Sequence, residues 1–143
     1  MVDGICNHTV TVCDHSSPHV MNLHSGLSNV EVIWARAEEA GRRPELRETY
    51  DLAVARAVAE TRVLAELCLP FVRVGGLWVA PKGPGPQAEV ESAGNAIKKL
   101  GGKLVALDMV DSFSADGQRT AVVVRKVNMY ILMYKCEEPP TEI

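Results

Sequence analysis

Aromatic residues are scarce: two Trp, three Tyr and two Phe make up 5% of 143 residues. A sandwich or barrel packed on rings is not expected. The hydrophobic share is 47% and comes mostly from Val, Ala and Leu, which suits the close-packed core of an α/β domain. No apolar run approaches the roughly 20 residues that span a bilayer. The first 20 residues also lack the basic start and apolar middle of a signal peptide. No membrane partner and no targeting segment are expected. Cys6, Cys13, Cys68 and Cys136 include no CxxC pair, which argues against a disulfide framework and for a reduced, intracellular protein. An excess of positive charge is missing too. Lys and Arg number 15 against 18 Asp and Glu, for a net charge of −3, so no strong electrostatic grip on nucleic acid is spread over the whole chain. There is no P-loop, no G-x-G-x-x-G and no serine between elbow glycines, so hydrolase and nucleotide triphosphatase readings have no support.

Residues 1–26 contain no Lys or Arg at all, yet hold every histidine (His8, His15, His19, His24) and two cysteines. The composition divides the chain into a His/Cys-containing segment (1–25), a main domain (26–127) and a tail (128–143). Cys6, His8, Cys13, His15, His19 and His24 are enough ligands for zinc. The gap from Cys6 to Cys13 nevertheless exceeds the usual two to four residues, and no metal site is expected.

What is present reads as alternating strands and helices. Thr9–Cys13 is β-branched, and Val30–Trp34 is a strand closed by the charged turn at 36–41. Residues 51–59 form a nearly continuous run of small apolar side chains, as wanted by a parallel strand buried on both faces. Val63, Leu64, Leu67, Cys68, Phe71 and Val72 make one stripe of a helix, distorted near Pro70 and ended by Gly75-Gly76. A strand at 77–80 and a Gly-Pro loop at 83–86 follow. The next helix has Glu89 and Glu91 early, Lys98 and Lys99 late, and Val90, Ala93, Ile97 and Leu100 on its apolar face, with Gly101-Gly102 as terminator. Residues 103–110 and 120–127 are two strands joined too briefly for a parallel crossover, so they are expected to pair antiparallel, either directly or as near neighbours. No core role is expected for the tail.

The stretches Gly26-Leu-Ser-Asn-Val-Glu-Val, Arg36-Ala-Glu-Glu, Tyr50-Asp-Leu-Ala-Val-Ala-Arg-Ala-Val-Ala, Cys68-Leu-Pro, Val74-Gly-Gly-Leu-Trp-Val-Ala-Pro-Lys-Gly and Gly117-Gln-Arg-Thr-Ala-Val-Val-Val-Arg-Lys resemble, in order and spacing, the C-terminal part of the ribosomal RNA small subunit methyltransferase G (GidB) family. The plant-like branch is the most similar. The resemblance covers residues 26–127. It implies an α/β, Rossmann-like class I S-adenosylmethionine (SAM) methyltransferase fold, with parallel strands and a C-terminal antiparallel pair. It further implies SAM as cofactor, small-subunit rRNA as partner, guanine N7 as the methylated atom, no metal, and a place in cytoplasm or plastid. The family's glycine-rich SAM loop, Gly-x-Gly-x-Gly-x-Pro-Gly, has no counterpart between Met1 and Gly26. The fold is therefore expected to be incomplete, the chain a truncated form with impaired cofactor binding, and an exposed sheet edge open to self-association. A non-catalytic α/β remnant or binding module is the alternative. Asp14, at the end of residues 10–14, is a candidate stand-in for the carboxylate that holds the cofactor ribose.

Five residues carry the expected site. Ala37 and Glu38 match the pair that contacts SAM, after a strand where a carboxylate and exposed backbone meet an adenine edge; a helix start with acidic residues in its first turn accounts for them equally. Arg56 interrupts an apolar run, where an unpaired charge would cost several kcal/mol. It needs a partner or an open crevice, and the resemblance places it at the cofactor. Lys82 matches the lysine of Ala-x-Lys-Gly, and Arg119, near Arg125 and Lys126, adds a candidate RNA contact. A solvated loop lysine and a charged strand edge are the plainer accounts of these two. No catalytic residue is singled out.

Overall fold

The computed structural model describes residues 9–13, 29–55, 59–111 and 117–129, the first of these by backbone alone. The elements run β1 (Thr9–Cys13), β2 (Val30–Trp34), α1 (Ala37–Ala40), β3 (Tyr50–Val54), α2 (Thr61–Cys68), β4 (Val72–Lys82), α3 (Gln87–Lys99), β5 (Gly102–Val110) and β6 (Arg119–Lys126). β1 and β2 pair in parallel, Thr9 opposite Val30 through Cys13 opposite Trp34. The other four strands form a second sheet in the order β3-β4-β6-β5. β3 runs parallel to β4, and β6 is antiparallel to both its neighbours. The expected α/β class and the strand at Thr9–Cys13 are present, and of the two arrangements open to the last two strands the direct antiparallel pairing is the one observed.

Helices α2 and α3 pack on one face of the four-stranded sheet. Leu64, Ala65 and Leu69 from α2 and its end, and Val90, Ala93, Ile97 and Leu100 from α3 and its end, close over Trp78, Ala80, Val122 and Val124. Alternation along a strand sends the intervening side chains to the opposite face. There Leu52 is 48% and Val54 62% exposed, while Leu77, Val79, Ala121 and Val123 are half-buried. No helix among the described residues covers this face.

Three expectations need correction. The strand read at 51–59 as buried on both faces is five residues long, with Ala53 against the core and Leu52 and Val54 exposed; it lies at the sheet edge and is covered on one face only. The helix expected to continue to Val72 stops at Cys68, because Val72 already belongs to β4 and is fully buried. Gly75-Gly76 therefore ends no helix. It lies within the 11-residue β4, where the pairing with β3 shifts register between Tyr50 and Leu52. Gly75 has φ +90, and a Cβ on Gly76 would meet the Asp51 carbonyl at 2.7 Å. The glycines permit a bulge that brings two backbones close.

The chain between β2 and β3 is tied to the far end of α2. Glu48, Thr49 and Tyr50 donate backbone N–H groups to the carbonyls of Pro70 and Phe71, and the Tyr50 and Phe71 rings meet at 6.4 Å. The wholly buried Lys126 reaches the same place. Its Nζ donates to the Leu69 carbonyl at 3.1 Å and pairs with Glu48 Oε1 at 3.0 Å, placing a cation at the C-terminus of α2 where the helix dipole favours one. Burial lowers the Lys126 pKa and Glu48 partly restores it. Burial also pushes the Cys68 thiol up to about 11, opposed by the Trp78 indole N–H.

Candidate functional site at the carboxyl ends of the strands

Because β3 and β4 are parallel, their carboxyl ends lie on the same side, the side where open α/β sheets place ligands. β4 ends at Lys82, which stands opposite Thr120 of β6, and Arg119 precedes Thr120 at the start of that strand. The topology thus brings Lys82, Arg119 and the start of α2 together at one end of the sheet.

Lys82 is not a solvated loop lysine. Its side chain is 10% exposed, and Nζ donates at 2.7 Å both to the Ala59 carbonyl and to Glu89 Oε1. The same carboxylate oxygen accepts from Thr61 Oγ1 at 2.7 Å and from the Thr61 backbone N–H. Glu60 at the N-cap of α2 supplies no capping bond. A side chain from the first turn of α3 therefore performs that task for α2, meeting one of its orphan N–H groups with negative charge. Burial acts to raise the Glu89 pKa, but the bonds from Lys82 and Thr61 outweigh it and hold the carboxyl below its ordinary value. This network fixes the spacing of α2, α3 and β4 at the ligand end of the sheet.

Ala37 is half-buried and Glu38 exposed, in a one-turn helix after β2 with no side-chain cap. The last residue of that turn adjoins Gly41, beside Pro70 and Phe71. Arg56 and Asp14 lie outside the described residues, as do His8, His15, His19, His24, Cys6 and Cys136. No cluster of three His, Cys, Asp or Glu suited to a metal occurs among the described residues. Thr61 and Glu89 were not expected to meet. Glu89 is legible as an acid favoured in a first helical turn, but its partner stands 28 residues earlier and no local pattern joins them.

The family model for rRNA small subunit methyltransferase G matches residues 19–122. The chain belongs to this family. Among its relatives, methyltransferase G of Symbiobacterium thermophilum is 48% identical over 102 residues, 71% of this chain and 42% of its own length. That of Pelotomaculum thermopropionicum is 50% identical over 103 residues, covering 71% and 43%, and that of Clostridium beijerinckii 40% identical over 124, covering 83% and 52%. The chain spans about half the length of the curated relatives it matches. Among solved structures, the Methanococcus jannaschii fibrillarin pre-rRNA processing protein aligns with a TM-score of 0.58 at 16% identity, over 85% of this chain and 57% of that one. M. jannaschii TYW2 in complex with AdoMet aligns at 0.56 and 18%, over 83% and 57%. The chain thus has the Rossmann-like α/β fold of class I methyltransferases. No helix among its described residues is long and apolar enough to cross a membrane.

Proposed function

We propose that this chain forms part of a SAM-dependent site that methylates guanine N7 of small-subunit rRNA. The observation that carries the reading is the family match over residues 19–122, lying on strands whose carboxyl ends gather Lys82, Arg119 and the start of α2. The methyltransferase part is read as residues 26–127, flanked by 1–25 and 128–143.

Ala37 and Glu38 suit the adenosine end of SAM, through an uncapped helix start and an exposed carboxylate, and Arg56 is assigned to the cofactor with them. The described residues offer nothing comparable for the methionine carboxylate. SAM, when bound, supplies an electrophilic methyl group. Guanine N7 has a lone pair and no proton to remove, so the protein's task is to orient the base and exclude water rather than to supply a general base. Arg119 is assigned to the RNA backbone. Lys82, bonded inwards, serves RNA through the helix start that it fixes. An rRNA substrate places the chain in cytoplasm or plastid, and the free edge of β3 is where two copies meet when nothing else covers it. The inward-turned Lys82 favours a second reading as a non-catalytic binding module.

Calorimetric titration with SAM into the millimolar range separates the two. Binding weaker than about 10 μM, roughly −7 kcal/mol, is expected. Glu38→Ala and Arg56→Ala should each weaken it by about 1–3 kcal/mol, as for a lost bond to a charged group. No binding at all, or equal binding by both variants and the parent, overturns the first reading.

A further inference from the structure

The chain leaving β6 crosses over the junction of α3 and β5. Val127 and Asn128 both donate backbone N–H groups to the Gly101 carbonyl, and the crossing is so close that a Cβ on Gly101 would collide with the Asn128 backbone. Beside the crossing lies a groove of about 470 Å³ between α3 and the start of β5. Val90, Gly94 and Ile97 wall it on one side and Leu104 on the other, with Val127 and Asn128 at one end. Charge is confined to its ends: Lys98 and Lys103 near the crossing, Glu91 about two turns of α3 away. No described side chain fills the groove, since Leu104 is 40% exposed and a Cβ on Gly94 would meet nothing within 4 Å. An apolar concavity of this size marks a place built for an occupant.

We propose that the occupant is the tail of the same chain: Tyr130-Ile131-Leu132-Met133-Tyr134 seats in the groove and Lys135 meets Glu91 at its far end. The tail departs from the rim itself, because Asn128 lines the groove. Its length suits. From Lys98 to Glu91 the groove follows seven residues of helix, about 10 Å at 1.5 Å per residue, and the six residues from Met129 to Tyr134 advance about 9 Å as a helix and further if extended. Its composition suits as well: an apolar run that ends in a lysine matches an apolar bed that ends in a carboxylate. Left in water, such a run invites association. A second copy's tail offers the same side chains, but the chain's own tail begins at the groove with no distance to span, so its effective concentration there is far higher. The tail is thereby part of the folded unit, and this holds whether or not the chain binds cofactor or RNA.

The test is amide hydrogen exchange on the full chain, read by mass spectrometry at peptides covering residues 130–134. Exchange about tenfold or more slower than in a free peptide of the same sequence is expected. Gly94→Leu fills the groove from a helical position where the added side chain meets no neighbour, and it should return residues 130–134 to the free-peptide rate with far-UV circular dichroism intact. Leu132→Glu changes the occupant instead of the bed and should do the same without touching the core. Met109→Lys, at an exposed site on β5 outside the groove, should leave the protection unchanged. Three results overturn the proposal: free-peptide exchange over 130–134 in the parent, protection that survives both Gly94→Leu and Leu132→Glu, or protection that falls on dilution in step with a dimer seen by light scattering, which would seat the tail in a second copy.

Discussion

On one face of the four-stranded sheet Trp78, Ala80, Val122 and Val124 are wholly buried, and on the other Val54 is 62% exposed. The residue types are nearly the same. Val124 and Val123 are neighbours in one strand, and only the direction of the side chain separates a core position from a half-open one. What differs is the layer above. α2 and α3 present Leu64, Leu69, Val90 and Ile97 to the first face, and no described element does so for the second. Apolar character shows what a strand could bury, and the covering layer decides what it does bury.

The largest effect that would sharpen this contrast is expected at Trp78. Trp78→Ala should cost about 3–5 kcal/mol by the loss of buried surface and the cavity left behind, a large share of what a domain of this size has to lose, and a urea melt reads it directly. Next is the ion pair beneath the covered face. Glu48→Ala leaves the Lys126 ammonium buried with the Leu69 carbonyl as its remaining bond, at a cost of about 3 kcal/mol near neutral pH. Lys126 has its pKa lowered in the folded state, so the unfolded chain holds that proton more firmly and stability rises with pH as the alkaline range is approached. Removing Glu48 lowers the folded value further, and the variant should therefore regain stability with rising pH more steeply than the parent.

At the ligand end, Glu89→Gln should cost about 1 kcal/mol at neutral pH through weakened bonds to Lys82 and Thr61. The parent's Glu89 pKa is lowered on folding, so its contribution is present above the unfolded value and fades as pH falls through the folded one. The variant should lack that part of the acid limb in a melt series. The smallest effect belongs to the open face. Val54→Thr should stay within about 0.5 kcal/mol, and a loss comparable to that at Trp78 would show that the two faces are equally covered and the contrast false.

The helix at Gln87–Lys99 was legible to within about a residue of its end, because period, charge and the Gly101 that follows its C-cap Leu100 all agree. Gly101 has φ +77, and a Cβ there would lie 2.1 Å from the Asn128 carbonyl. β4 was not legible at its start. Val72 continues the α2 stripe in the linear pattern and two glycines look like a stop, whereas the pairing of Tyr50 with Val72 that makes this segment a strand involves a residue 22 positions away. β3 was read as a strand with the right pairing and the wrong cover, since an apolar run records a capacity for burial and not the presence of a neighbour. In the site, Lys82 stood out through its place after a strand, but its engagement by the Ala59 carbonyl and by the Glu89 carboxylate that Thr61 also holds is a product of tertiary packing. The same holds for Lys126, which looked like one cation of a charged strand edge and proves to be wholly buried.

The thiol of Cys68 offers a clock. With its pKa near 11, about one molecule in ten thousand carries the thiolate at pH 7, since each unit is a factor of ten. Such a sulfur is a poor nucleophile toward alkylating reagents and resists oxidation by peroxide. Peptide-resolved iodoacetamide labelling at this position would therefore be paced by the excursions in which α2 lifts from Trp78. Its rate would count those openings in the intact chain, without denaturant and without a substitution.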